Sequence, residues 1–173
     1  MSHLVGLGDS NFRLAIYIEN RPPLDEYQNL MSLRPMQSGE ISHIAQSTGN
    51  HWRKIFNVYA KLIDQLWPSA YNSWQDYRDH KLLQAGSQLA LLFSKPDISV
   101  AGRIHVIAGK GYAAKLGYDI EKLSQPVVEG GKDFGVSVDQ SLIVIPYLDY
   151  RQLSNAKIDL LVELIGQLTP SGQ

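Results

Sequence analysis

Three short stretches and one histidine gather side chains able to do chemistry. Pro146-Tyr147-Leu148-Asp149-Tyr150-Arg151 offers two phenol rings to stack on a planar ligand and a guanidinium to grip an anion. Glu19-Asn20-Arg21-Pro22-Pro23 puts a carboxylate, an amide and a guanidinium at one turn, where Glu19 or Asn20 would serve as a general base or hold a water. Gly109-Lys110-Gly111 combines glycines, which allow close backbone approach to a phosphate, with one lysine charge. It has neither the Gly-x-x-x-x-Gly-Lys-Ser/Thr nor the Gly-x-Gly-x-x-Gly spacing. His51 opens a helix beside a long polar stretch and is the histidine placed for a site. His3, His43, His80 and His105 are scattered; no pair has metal-ligand spacing, so no metal is expected. Each stretch also has a plainer reading: a loop folded onto its own aromatics, a rigid proline turn, and glycines that let a helix pack tightly.

The elements that would position these groups can be read from apolar spacing. Phe12–Ile18 reads as a first strand, Arg103–Ala108 as a second and Leu142–Ile145 as a closing one, each short and apolar as in a parallel sheet. Residues 51–67 repeat apolar positions at three and four (Trp52, Ile55, Phe56, Tyr59, Leu62, Ile63), with Asn50 or Thr48 as cap and Pro68 as stop, and predict a helix. Ser154 or Asn155 caps a last helix through Leu168. Weaker expectations fill the gaps. They are a short helix over 24–33, a long loop over 34–50 with at most one helical turn, and helical turns over 69–79. Residues 81–93 read as a helix broken at Gly86, or as a strand over 89–93 alone. A helix over 112–116 is closed by Gly117, and a hairpin turns at Gly130-Gly131. Strands interleaved with helices predict one α/β domain over 1–173, a three-layer sandwich with a mostly parallel central sheet and frayed ends at about 1–10 and 169–173.

Composition narrows the function classes. The 173 residues are 44% hydrophobic and 19% charged with a formal net charge of −1, the profile of an ordinary soluble domain. Phosphate-gripping proteins carry a basic excess that this chain lacks overall. Without cysteine there is no disulfide, thiolate nucleophile or cysteine-held cluster, and no Gly-x-Ser-x-Gly elbow anchors a hydrolase triad. No apolar run reaches membrane-spanning length and the start has no secretory pattern, so a cytoplasmic protein without membrane contact is expected. The aromatics at 52, 59, 71, 74 and 77 follow helical spacing and are expected in the core.

In chain order, Leu14–Pro22, Thr48-Gly49-Asn50-His51-Trp52, Val106–Ala114 and Val144–Tyr147 resemble the motif series of the uracil-DNA glycosylase superfamily. That series has a first strand ending in a proline loop with an acidic or amide residue, then a glycine turn before an amphipathic helix. A strand running into Leu-Gly-Lys-x-Ala follows, and a last strand ends in His-Pro-Ser. The resemblance spans about residues 12 to 168 and implies that fold, with Glu19 or Asn20 at the water-activating position and Leu148 at the wedge. The departures are chemical. Ile145 stands where the family has the histidine that stabilises the departing uracil anion, and Tyr147 replaces the serine. An isoleucine neither donates a hydrogen bond nor carries charge. The first motif lacks its glycines, and the iron–sulfur cluster of some branches has no cysteines here. The expectation is the fold without the usual chemistry: a base, nucleotide or nucleic acid bound by Arg21, Pro22, His51, Lys110, Pro146, Tyr147, Tyr150 and Arg151, with no cofactor. The alternatives are an active glycosylase of divergent mechanism, a non-catalytic partner-binding module, or a phosphate-handling enzyme working from Gly109–Gly111.

Overall fold

The structure is a computed structural model that describes residues 3–169; the expectations for residues 1, 2 and 170–173 lie outside them. Seven strands form one mixed sheet in the order β3-β1-β4-β2-β5-β7-β6. Its centre is a parallel unit of four strands: β4 (Leu89–Leu92), β2 (Leu14–Tyr17), β5 (Ile104–Ala108) and β7 (Leu142–Ile145). β1 (Gly6–Gly8) adds antiparallel to β4 and carries β3 (Leu33–Arg34) parallel to itself, and β6 (Gly135–Ser137) closes the other edge antiparallel to β7. The sheet is therefore mixed, with parallel pairing through the four central strands and again between β1 and β3, and antiparallel pairing where β1 meets β4 and β6 meets β7.

Every residue of the four central strands is buried, which is why they read as unbroken apolar runs. Their side chains alternate between two cores. Leu14, Ile16, Leu91, Val106, Ile143 and Ile145 face the helix-rich side. There they meet α3 (Asn50–Leu66) and α6 (Asn155–Leu168), with α2 (Glu40–Thr48) and α4 (Trp74–His80) packed around α3. Ala15, Tyr17, Leu92, Ile107 and Val144 face a thinner layer built on the short helix α5 (Lys110–Lys115) and on Ile120. α3 buries Trp52, Ile55, Phe56, Tyr59, Leu62 and Ile63 along one stripe, and the Tyr59 hydroxyl donates to the Ala90 carbonyl at 2.8 Å, which satisfies its one buried polar group.

The structure departs from the sequence expectations at the start of the chain, in the long loop, at the cap of α3, which is Gly49 without a side-chain hydrogen bond, and at the hairpin, and it decides between the two readings of residues 81–93. The expected frayed start contains β1, whose three residues are fully buried; a Cβ on Gly8 would fall 2.4 Å from the Leu89 carbonyl oxygen, at a φ of +139°, so only glycine permits this approach. The expected long loop contains α2, nine residues started from left-handed Gly39 without a side-chain cap, so no capping signature marks it. Of the two readings of residues 81–93 the strand holds, over Leu89–Leu92, and residues 81–86 are turns in place of a helix. The hairpin is made by β6 and β7; Gly131–Asp133 is a 3-10 turn, and Ser124 alone bridges to Val136.

Candidate functional site

Taken by chain order, the central strands β4, β2, β5 and β7 run second, first, third and fourth, so connections leave β2 and β5 in opposite directions. The carboxyl ends of strands at such a switch point frame a crevice. Here the ends are Ile18-Glu19-Asn20 after β2, Gly109-Lys110 after β5 and Pro146-Tyr147 after β7. His51, in the first turn of α3, comes to the same place. Gly109 turns the chain out of β5: its N–H donates to the Ile145 carbonyl at 2.8 Å, and its φ of +96° favours glycine there.

Asn20, His51 and Tyr147 close a triangle of polar contacts. The Tyr147 hydroxyl donates to Asn20 Oδ1 at 2.8 Å, Asn20 Nδ2 lies 3.2 Å from His51 Nε2, and that nitrogen lies 3.1 Å from the Tyr147 hydroxyl. The His51 and Tyr147 rings stack, 5.7 Å apart and 18° from parallel, while Trp52 meets His51 edge-on. The triangle has a proton count that does not close. With Tyr147 donating to Asn20, His51 Nε2 either accepts from the Asn20 amide or donates to the Tyr147 oxygen, and cannot do both. One contact is always frustrated, so a ligand that takes over a donor or acceptor displaces little. Burial raises the Tyr147 phenol above its ordinary range, with Asp149 adding to the rise and the Asn20 hydrogen bond opposing it, so the hydroxyl is a donor at neutral pH.

The other side of Tyr147 lines an open cavity of about 600 Å3 together with Lys110, Ile145, Pro146 and Arg151. Glu121, Lys132, Asp133 and Lys157 add four more charged groups to its lining. Two of the cations are already matched: Lys157 pairs with Asp133 at 3.0 Å and Arg151 with Asp149 at 2.8 Å. Arg151 also donates its backbone N–H to Asp149 at 2.9 Å, and these contacts hold the Asp149 carboxyl down at about 2. Lys110 and Lys132 make no ion pair among the described residues. The cavity therefore presents two ammonium groups and one carboxylate, that of Glu121, all without ion-pair partners among the described residues, beside one aromatic ring.

Asn20, His51, Lys110, Pro146, Tyr147 and Arg151 thus meet around this crevice. Glu19 does not join them: its carboxylate pairs with Lys115 at 2.8 Å on the surface. Arg21 donates to the carbonyls of Tyr27, Gln28 and Leu30 at 3.0 to 3.2 Å, tying off the end of α1 (Asp25–Gln28). Pro22 is buried and its carbonyl accepts from Gln28, whereas exposed Tyr150 has Lys54 above its ring at 5.1 Å. Leu148 is fully buried and so does not stand out as a wedge. Lys132 and Lys157 carry no signal in the sequence, because one sits in a single 3-10 turn and the other is a lone, partly buried lysine near the start of α6.

Among the described residues no group of three or more acidic or histidine side chains could hold a metal ion, and no helix is long and apolar enough to cross a membrane. No curated protein and no solved structure matches the chain. A family model does match residues 5–166, nearly the whole described domain, and the chain therefore belongs to that family, a family of unknown function designated DUF6942.

Proposed function

We infer that the crevice binds a nucleobase-bearing ligand, on a glycosylase-like scaffold that no longer carries the usual base-excision chemistry. The observation that supports this most is the double duty of Tyr147, which is one corner of the Asn20–His51–Tyr147 triangle and also a wall of the cavity rimmed by Lys110 and Lys132. A ring for stacking, an amide that both donates and accepts, and cations without carboxylate partners are the three features a nucleotide needs. A cavity of about 600 Å3 falls in the range for small-molecule sites. The net charge of −1 favours a mononucleotide or a single extruded base over a long phosphate track. Ile145, wholly buried at the end of β7, offers nothing to a leaving group.

The test is calorimetric titration with nucleosides, nucleoside monophosphates and short oligonucleotides. Saturable binding is expected, weakened ~10-fold or more in Tyr147→Ala and Asn20→Ala, since each loses about one hydrogen bond or stacking contact. No binding by any of them overturns the reading. One observation favours retained catalysis instead: His51 brings an imidazole into the crevice from α3, within 3.1 Å of the Tyr147 hydroxyl. Release of a free base from oligonucleotides carrying damaged bases, abolished in His51→Ala, would establish that reading.

A further inference from the structure

The opposite end of the sheet carries a second concave site. A cavity of about 180 Å3 lies where β2 and β5 begin, lined by Arg13, Trp67, Arg103, Ile104, Ser141 and Leu168. Among the described residues no acidic side chain lines it. The Arg13 guanidinium carbon sits over the Trp67 ring, 3.5 Å from its centroid. Its Nε is buried without any hydrogen-bond partner, and among the described residues Arg13 makes no ion pair. Burial holds this guanidinium below its usual range, the direction expected when charge is desolvated and no carboxylate compensates. Arg103 is anchored differently: Nε donates to the Phe12 carbonyl at 3.1 Å and Nη2 to the Ser10 carbonyl at 3.0 Å.

Buried or half-buried guanidiniums are ordinarily paired, because an unmatched one loses hydration without recovering it. Two arginines line one small cavity; Asp97 lies close enough to Arg103 to feel its charge, but neither arginine has an ion-pair partner among the described residues, which leaves a deficit of negative charge at Arg13. The remaining walls, Trp67, Ile104 and Leu168, are apolar. The volume is below that of drug-sized pockets, which excludes a nucleotide. We propose that this cavity is a second binding site, separate from the crevice, for a small organic carboxylate whose anionic end is held by Arg13 and Arg103 and whose apolar body lies against Trp67, Ile104 and Leu168. A planar carboxylate matches the fork of a guanidinium, and its body replaces water on the indole and leucine. Inorganic phosphate would satisfy the arginines and leave the apolar wall wet.

The probes are benzoate, benzyl alcohol and inorganic phosphate, titrated into the whole chain by calorimetry at low chloride. Benzoate is expected to bind saturably, benzyl alcohol and phosphate at least ~10-fold more weakly. Arg13→Gln should weaken benzoate by a similar factor, and Tyr147→Ala at the other end of the sheet should leave it unchanged. Leu168→Trp keeps both guanidiniums but fills the cavity, and should abolish binding even if Arg13→Gln proves too unstable to purify. Equal affinity for benzyl alcohol, equal affinity for phosphate, or full benzoate binding by Leu168→Trp would each overturn the proposal.

Discussion

Two tyrosine–histidine pairs in this molecule invite comparison. Tyr17 and His105, on neighbouring strands β2 and β5, are 0% and 1% exposed, and the Tyr17 hydroxyl meets His105 Nδ1 at 2.7 Å. Tyr147 and His51, from a loop and a helix start, meet at 3.1 Å at the mouth of the crevice, with Asn20 as third partner. The buried pair shares a single side-chain hydrogen bond with no third side chain competing for it. The crevice pair has three contacts that compete for too few protons and a cavity on its open side. The same two side chains thus serve as a rigid strut where strands fix both and water is absent. Where loops carry them and a third group competes, they form a surface ready to exchange partners.

The largest expected effect separates the pairs by stability. Tyr17→Ala should cost ~3–5 kcal/mol, as for other buried aromatics, because it opens a cavity and strands His105. Tyr147→Ala should cost no more than about 1–2 kcal/mol, since its ring is half-exposed. Urea unfolding of both variants measures the difference. Next comes pH. His105 is held down from 6.5 to about 4, by burial first and by the Arg103 charge second. The folded protein therefore resists a proton that the unfolded chain takes up near 6.5, and between these values the unfolded state binds more protons. Stability from this group is fully present above 6.5 and is lost as pH falls toward 4, a loss of up to about 3 kcal/mol at ~1.4 kcal/mol per pH unit. His105→Gln should flatten that segment of the stability profile; an unchanged slope would mean His105 is not the group responsible.

Conservative substitution sharpens the contrast further. Tyr17→Phe should lose ~1–3 kcal/mol by leaving buried His105 without its partner, whereas Tyr147→Phe should change stability by less than ~1 kcal/mol. Tyr147→Phe should instead weaken nucleotide binding in the titration described above. The smallest effect concerns the loop that carries Tyr147. Arg151→Ala removes the main cause of the low Asp149 carboxyl, which should rise from about 2 toward 3.8 in an NMR titration.

The parts of the fold legible in the sequence are those whose burial is two-sided or strictly periodic. β2, β5, β7, α3 and α6 each announce themselves through Leu14–Tyr17, Ile104–Ala108, Leu142–Ile145, the Trp52–Ile63 stripe and the Ile158–Ile165 stripe. β1, β3 and β6 do not, because strands of two or three residues exist only through pairing with distant partners: Gly6 meets Leu92, and Ser137 meets Leu142. Site residues divide in the same way. Asn20, His51 and Tyr147 stand out by type and place, but that they touch depends on strand order, which no local pattern encodes. Glu19 and Arg21 have equally reactive types, yet Lys115 engages one and the carbonyls ending α1 engage the other. A side chain's chemistry is available only after its structural obligations are met, and those obligations are set in three dimensions.

α3 has a consequence for experiment. It spans seventeen residues, about 25 Å at 1.5 Å per residue, with Trp52 edge-on to His51 in its first turn and Trp67 under Arg13 just past its last. One helix therefore carries an optical reporter for each end of the sheet. With Trp74 replaced, removing either of the two remaining indoles leaves a single fluorophore at one end of the sheet, and the pair of variants reports occupancy at the two ends separately.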